Sequence, residues 1–222
     1  MIKRFITRLA VAEPGRELDP ERRKALRKNF GPLAARRMSD LSLLIGEVTD
    51  GLEAGADDEW IYASRFGGTQ SLERYLASFP APSPLHFQNS IHPGALDLVS
   101  VARRQSSALF SPLCGLETLV ADALLAALIA PPETPVHLVG GDEYEHWCTA
   151  HSWGGEETFA FYLRLDSAAQ EQVLGEVIFT PGEELANAPT APTLPEFHAA
   201  LAERRPLAFF TPERGTFRLS WA

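Results

Sequence analysis

Cysteine is nearly absent from this sequence: its 222 residues include two, Cys114 and Cys148. Two thiols do not make a disulfide framework, which excludes the small disulfide-stapled secreted class and predicts a reducing, cytoplasmic setting. Long hydrophobic runs are missing too. No stretch of eighteen apolar residues is free of polar interruption, so we expect no membrane span. The basic, partly apolar start is followed by no small-residue cleavage site, and we expect no signal peptide.

Motifs for nucleotides and metals are also lacking. Gly-Gly pairs at 67–68 and 140–141 follow predicted strands, but neither belongs to a G-x-G-x-x-G or G-x-x-x-x-G-K-[ST] motif. The segment GDEYEHWCTAH (141–151) has side chains of the metal-ligand type, yet its spacing matches no standard zinc pattern. We therefore expect no cofactor and no metal, and we interpret 141–151 as a polar loop that follows a strand.

Charge is spread unevenly along the chain. The net charge is −9 overall, whereas residues 1–38 carry eleven basic and four acidic side chains, a local net charge of +7. This segment is either the solvated face of a helix or a basic patch that meets an acidic partner. The composition, with 45% hydrophobic and 22% charged residues, is that of an ordinary globular chain large enough to bury a core.

The pattern of apolar residues predicts an α/β fold. Strand and helix patterns alternate through residues 60–140, which favours a mixed, mostly parallel sheet covered by helices. The segment 114–130 is apolar on nearly every side, so we expect a buried helix there. We predict a main domain over 1–175 and a C-terminal tail over 176–222. The tail has a Pro-rich linker (NAPTAPTLP), a short helix (LPEFHAALAERRP) and a final strand (TFRLSWA).

Cys114 is the candidate catalytic nucleophile. It stands at the start of the predicted helix 114–130, where the helix dipole and free backbone N–H groups favour a thiolate. The alternative is that this cysteine simply fills space in the core, as free cysteines often do. A working thiol needs a base, and the candidates are His86 and His92 in the segment SPLHFQNSIHPG, since His137 lies inside a predicted strand.

Five segments, in the right order, resemble the β-ketoacyl synthase-like N-terminal domain family over residues 33–166. The most specific is SPLHFQNSIHPGALDLVSVA, which is similar to the SPxxFxxSVHN segment of short ketosynthase-like proteins. The other four are similar to an early helix, to the strand, glycine turn and helix after it, and to the two strands after the nucleophile helix. In this sequence they read ARRMSDLSLLIGEV, IYASRFGGTQSLERYL, VHLVGGDEY and ETFAFYLRL.

The resemblance implies a thiolase-like half-domain. Thiolase-like enzymes consist of two similar halves, with the nucleophilic cysteine in the first and the two catalytic His (or His and Asn) in the second. No segment of this sequence corresponds to that second half. Cys114 falls close to the nucleophile position, but the neighbouring Leu113 and Leu116 are larger than the small residues of the family pattern. The resemblance therefore implies that Cys114 is a vestigial catalytic residue.

Half-length members of the family occur in aryl polyene gene clusters, where they resemble a chain-length-factor subunit. The resemblance thus implies a non-catalytic subunit that pairs with a full-length β-ketoacyl synthase in aryl polyene or fatty-acid-type polyketide biosynthesis, with helix 114–130 and loop 83–94 at the interface. It also implies that the basic segment 3–37 contacts either an acyl carrier protein or the partner synthase, and we expect no nucleic-acid partner. Two alternatives stay open: a small acyltransferase or thioesterase that uses Cys114, and a stand-alone module that binds an acyl chain.

Overall fold

A computed structural model describes residues 1–152, 154–169, 172–183, 189–212 and 214–222. Within these ranges the chain forms eight strands and nine helices. The strands are β1 (Ile2–Val11), β2 (Glu59–Ala63), β3 (Leu109–Leu113), β4 (Val136–Asp142), β5 (Phe159–Asp166), β6 (Gly175–Pro181), β7 (Leu207–Thr211) and β8 (Gly215–Trp221). The helices are α1 (Pro20–Arg27), α2 (Pro32–Ala35), α3 (Asp40–Val48), α4 (Thr69–Ala77), α5 (Pro84–Ser90), α6 (Gly94–Arg103), α7 (Leu119–Ile129), α8 (His146–Ala150) and α9 (Leu194–Ala202).

All eight strands form one sheet, in the order β3-β2-β4-β5-β1-β6-β8-β7. The predicted α/β fold is confirmed, but the expectation that the sheet is mostly parallel is wrong. Only β2–β3 and β2–β4 pair in parallel, and the other five pairings are antiparallel. Parallel neighbours need a long crossover between them. The alternation seen in 60–140 supplies such crossovers only there, as α4 to α6 and as α7.

Both faces of the central strands are buried, as β5 illustrates. Successive side chains of a strand point to opposite faces of the sheet. Phe161 and Leu163 accordingly join the core under α7 and α9, whereas Ala160 and Tyr162 join the core under α3 and α6. A strand covered on both sides needs apolar residues at nearly every position, and the sequence FAFYLRLD meets that need.

The C-terminal strands extend the same sheet. β6 begins at Gly175 and pairs with both β1 and β8. The short helix and the final strand expected in the tail are α9 and β8, whereas β7 was not predicted. Residues 187–188 of the expected linker lie outside the described residues, and the division of the chain at 175 stays a prediction.

α7 is the buried helix that the sequence predicted, and α3 is buried even more completely. Seven of its eleven residues are buried between the sheet and α9. It is too short to cross a membrane, and none of the helices in the described residues is both long and apolar enough to do so.

The C-terminal end of α7 is held by a buried arginine from β1. The guanidinium of Arg4, which is 1% exposed, donates hydrogen bonds to the carbonyl oxygens of Ala130 (2.7 Å), Pro131 (2.8 Å) and Thr134 (2.8 Å). A helix leaves its last carbonyl groups without partners inside the helix. A buried cation at this end satisfies them and also interacts favourably with the helix dipole.

We expect Arg4→Met to lower the free energy of unfolding by about 2–4 kcal/mol, because it leaves several buried carbonyl groups without donors. Urea denaturation followed by circular dichroism measures the change. The matched control is Arg8→Met on the same strand, since Arg8 is exposed and bonds only exposed carbonyl groups. Equal losses in the two variants would contradict the role assigned to Arg4.

Candidate functional site

The carboxyl ends of the three parallel strands meet at one edge of the sheet. β2 ends just before Ser64 and Arg65, β3 ends just before Cys114, and β4 ends at Asp142. In open α/β sheets, ligands bind outside the carboxyl ends of parallel strands. This edge, which also holds the predicted nucleophile, is therefore the candidate functional site.

A buried ion pair joins the ends of β2 and β4. The carboxylate of Asp142, fully buried, accepts hydrogen bonds from the Ser64 hydroxyl (3.1 Å), from the Arg65 backbone N–H (2.8 Å) and from the Arg65 guanidinium. Burial raises the pKa of Asp142 above its ordinary value, and the charge of Arg65 acts in the opposite direction. The same Ser64 oxygen accepts the backbone N–H of Gly67 (2.9 Å), which shapes the turn after β2.

Cys114 lies in a loop and not on the first turn of a helix, which corrects the sequence-based expectation. α7 begins at Leu119, and residues 114–118 form the connection from β3. The influence of a helix dipole falls off within the first turn, so the argument for thiolate stabilisation by α7 does not apply to Cys114. The helix starts later than the apolar pattern suggests because Leu116 is exposed and only residues from Leu119 onward reach the sheet.

The thiol of Cys114 is exposed and donates to the carbonyl oxygen of Arg65, with the sulfur 3.5 Å from the oxygen. His92 also bonds this turn, with Nε2 placed 3.0 Å from the carbonyl oxygen of Ser64. A carbonyl oxygen only accepts, so Nε2 of His92 is the donor and its proton is directed to Ser64. The structure thus brings His92 and Cys114 to adjacent carbonyl groups, and each of the two side chains bonds a backbone oxygen.

The other candidate base, His86, and the strand residue His137 lie elsewhere. His86 is on α5 and forms no hydrogen bond to Cys114 in the described residues. His137 is buried in β4, where its ring nitrogens lie 2.8 Å from Asp58 and 2.8 Å from the hydroxyl of Tyr162. Burial lowers the pKa of His137. His137 is a core residue with both ring nitrogens occupied.

The acidic segment 141–151 is largely structural. Its residues include α8, which was not predicted, and the carboxylate of Glu145 caps that helix by accepting from the N–H groups of Trp147 (2.8 Å) and Cys148 (3.1 Å). Cys148 is buried, and burial raises the pKa of its thiol to about 11. Among the residues that the structure describes, no group of three or more His, Cys, Asp and Glu side chains is placed to hold a metal ion.

Glu143 links two helices to the end of β4, and sequence reasoning missed this role. Its fully buried carboxyl group accepts from the backbone N–H of Leu41 (3.0 Å) in the first turn of α3 and from that of Gln70 (3.0 Å) in the first turn of α4. Free N–H groups and a positive dipole end make helix N-termini good sites for a carboxylate. Burial nevertheless raises the pKa of Glu143 to about 7.

We expect the stability contributed by Glu143 to decrease as the pH rises from about 4.5 to about 7. The folded protein keeps a proton on this carboxyl group that the unfolded chain has already lost in that window, so deprotonation favours unfolding. The free energy of unfolding of the wild type, relative to that of Glu143→Gln, should therefore fall by at most about 3 kcal/mol across the window. Urea titrations at several pH values measure it. The control Glu13→Gln changes an exposed carboxylate, and an equal fall in the free energy of unfolding of the wild type relative to that variant would refute the assignment to Glu143.

An apolar surface lies beside the candidate site, on the open edge of β3. We define the β3 edge surface as Leu109, Phe110, Val101 on α6 and Leu116, all of which are exposed. A cavity of 620 Å³ opens between β3 and α6, where Phe110, Val101 and the buried Trp60 line it. β3 also contains Pro112, which has no N–H, and proline in a sheet is confined to edges.

The predicted loop 83–94 adjoins this surface. Most of it is helix α5, begun by Ser83, whose hydroxyl accepts the N–H of His86. Gln88 of α5 lines the same 620 Å³ cavity, so α5 and β3 share one face of the molecule. Phe87 and Ile91 are exposed on that segment.

Comparison with known proteins places this architecture in one fold class. No protein family model matches the chain, and no curated protein matches it. Among solved structures, the complex of a ketosynthase with its chain length factor from Xenorhabdus doucetiae has a chain that matches with a TM-score of 0.62 at 17% identity. The match covers 99% of this chain and 100% of that chain.

Two further structures agree. The ishigamide ketosynthase/chain length factor matches with a TM-score of 0.57 at 12% identity, over 70% of this chain and 52% of that chain, so the match spans about half of its length. A β-ketoacyl synthase from Burkholderia phymatum matches with a TM-score of 0.55 at 12% identity, over 86% of this chain and 67% of that chain. The protein therefore has a thiolase-like fold. More particularly, it is the fold of ketosynthases and chain length factors, and the resemblance seen in the sequence is confirmed at that level.

Proposed function

We propose that this protein is a non-catalytic, chain-length-factor-like subunit that pairs with a full-length β-ketoacyl synthase in the cytoplasm. The observation that carries the proposal is the end-to-end match with a chain of a ketosynthase–chain length factor complex, which shares the fold over nearly all residues of both chains. The pathway we propose is aryl polyene or related fatty-acid-type polyketide biosynthesis, on the strength of the sequence resemblance described above.

The environment of Cys114 supports a non-catalytic role. A catalytic thiol needs a base within hydrogen-bonding reach and donors for an oxyanion. Cys114 instead donates to a backbone carbonyl oxygen, α7 begins five residues later, and Nε2 of His92 is turned to Ser64. We therefore propose that Cys114 marks the former position of a nucleophile.

The β3 edge surface supports a protein partner. Exposed apolar side chains grouped around an unpaired sheet edge are typical of interfaces. The sequence predicted an interface on helix 114–130, but most of α7 is covered by α9 and the sheet, although Ile129 is exposed. We therefore propose that the interface consists of β3, Val101 of α6, the loop 114–118 with Leu116, and α5.

The two alternatives make different demands on the structure. An independent acyltransferase or thioesterase would need Cys114 and His92 to reorient toward each other. A stand-alone acyl-chain module would need a long apolar cavity. The 620 Å³ cavity beside β3 is instead rimmed by polar and charged groups such as Asp97, Arg104 and Gln105.

We expect the chain to co-purify with a full-length β-ketoacyl synthase encoded beside it when the two are co-expressed. Val101→Asp, on an exposed helix position that is 76% accessible, should weaken the complex at least about tenfold, since a charge at the centre of an apolar interface is left desolvated and unpaired. Phe110→Asp tests the strand itself.

The control for these variants is Ala208→Asp, an exposed position on β7 at the opposite edge of the sheet. Thermal unfolding checks that each variant is folded. Failure of the wild-type chain to co-purify, together with monomeric behaviour in size-exclusion chromatography, would overturn the proposed function. Equal weakening by Ala208→Asp would move the interface away from β3.

We expect Cys114→Ser to leave the condensation rate of the assembled complex within about twofold of the wild type, because the proposal gives the thiol no part in the chemistry. In a second form of the test, the isolated chain is alkylated with iodoacetamide before it is mixed with the synthase, and the condensation rate of the complex is measured. Only exposed Cys114 should react quickly, since Cys148 is buried. A loss of about a hundredfold or more in the Ser variant would favour the acyltransferase alternative.

A further inference from the structure

Five of the eleven cations in the basic segment 3–37 already bond other groups inside the molecule. Arg4 caps α7, and Arg23 forms two hydrogen bonds with the carboxylate of Asp40, at 2.8 Å and 2.6 Å. Three more of its cations bond groups on other elements: Lys3 to Glu176, Arg22 to Glu47, and Arg8 to the carbonyl groups of Asp50 and Gly51. The segment 3–37 is therefore not a single free surface.

What remains free is a small helical corner. We define the basic corner as the exposed cations of α1, α2 and their ends: Lys24, Arg27, Lys28, Arg36 and Arg37. The described residues offer no ion-pair partner to Arg27, Lys28 or Arg36. Lys24 has only a long contact with Glu21 (3.9 Å), and Arg37 has only a hydrogen bond to Gln88 (3.4 Å).

An exposed leucine lies within this corner. Leu33 of α2 is 80% exposed, although an apolar side chain with a route into the core would normally be buried. No acidic residue occurs from 22 to 39, in a chain whose net charge is −9. Unpaired like charges repel one another, so a cluster of this kind is stabilised when an anionic surface covers it.

We propose that the basic corner is a docking surface for an acidic protein that presents an exposed apolar side chain to Leu33. This inference rests on the proposed function, because an acyl carrier protein is the acidic partner that function requires. Complementary charge at the rim speeds encounter and sets orientation, whereas the single apolar contact at the centre slows dissociation.

The composition of the corner argues against the other polyanions. Single-stranded nucleic acid needs aromatic side chains for stacking, and the one aromatic residue of the corner, Phe30, is 8% exposed. An anionic membrane is held by a helix with a broad apolar face. α2 has four residues and one exposed leucine.

Fluorescence anisotropy with a labelled acyl carrier protein as the probe tests the proposal on the isolated chain. The double variant Arg27→Glu/Lys28→Glu should weaken binding about tenfold or more, because two attractions become repulsions. Leu33→Ser should weaken binding about threefold or more without changing its salt dependence. Binding to the wild type should fall steeply as NaCl is raised, since exposed charges are screened.

The matched control is Arg204→Glu/Arg205→Glu. These exposed cations lie just beyond the C-terminal end of α9, so the change in net charge is the same, although Arg205 lies 3.3 Å from Glu203. If the control variant weakened carrier-protein binding equally, the effect would follow from net charge alone, and the proposal would be overturned. Tighter binding of phosphatidylserine vesicles or of a single-stranded oligonucleotide than of the carrier protein would overturn it too.

The docking surface and the proposed subunit role are tested by different experiments, so either can be refuted without the other. The carrier-protein measurement uses the isolated chain, whereas the proposed function is tested by co-purification with the synthase. The variants at Arg27, Lys28 and Leu33 should still co-purify with the synthase, because these residues lie on none of the elements of the proposed interface, whereas Arg37, which bonds Gln88 of α5, is left unchanged. Carrier binding that survives both Arg27→Glu/Lys28→Glu and Leu33→Ser would refute the docking surface and leave the subunit role standing.

Discussion

Two adjacent buried acids at the end of β4 organise this half of the molecule. Asp142 holds the turn after β2 through Ser64 and Arg65, and Glu143 holds the first turns of α3 and α4. Burying a carboxyl group is costly unless hydrogen bonds satisfy it. Both groups are fully buried and bonded to several donors, so the elements around them have few alternative positions.

The candidate site depends on that arrangement. The carbonyl oxygens that receive Cys114 and His92 belong to Arg65 and Ser64, the same residues that Asp142 fixes. The turn after β2, whose carbonyl oxygens bond Cys114 and His92, is therefore held in one conformation by Asp142. This arrangement is compatible with the proposed subunit, which would retain the fold of an enzyme and use its surfaces for assembly.

The two edge strands of the sheet, β7 and β3, differ in how they are covered. On β7 the backbone N–H of Phe210 donates to the carbonyl oxygen of Pro189 (3.2 Å), so the segment after 188 covers part of that edge. At β3 the edge is bordered by exposed apolar residues, with Pro112 as its one local protection. An open sheet edge tends to pair with another chain. This difference between the two edges favours β3 as the site where the proposed synthase binds. The basic corner, on α1 and α2, is the proposed site for the carrier protein.

Local pattern predicted much of this fold. The alternation in β5, the helices α4 and α9, and the strands β2, β4 and β8 follow from periodicity and from turn residues, which act over a few neighbours in the chain. The ordered set of family-like segments also indicated the thiolase-like fold and the place of Cys114 near the end of a strand.

Other features depended on residues far apart in the chain. The sequence 114–118 resembles a helix start, but packing on the sheet decides that α7 begins at Leu119. Arg4 and Ala130 are 126 positions apart, and Glu143 reaches Leu41 over 102 positions, so no local window could pair them.

The sequence by itself determined the class of fold, most of its elements and the position of a candidate cysteine, because these depend on local periodicity and on motif order. The tertiary structure alone decided which strands run antiparallel, which cations are paired, and that the thiol faces a backbone oxygen. Those outcomes are set by long-range packing and by the need of every buried polar group for a partner.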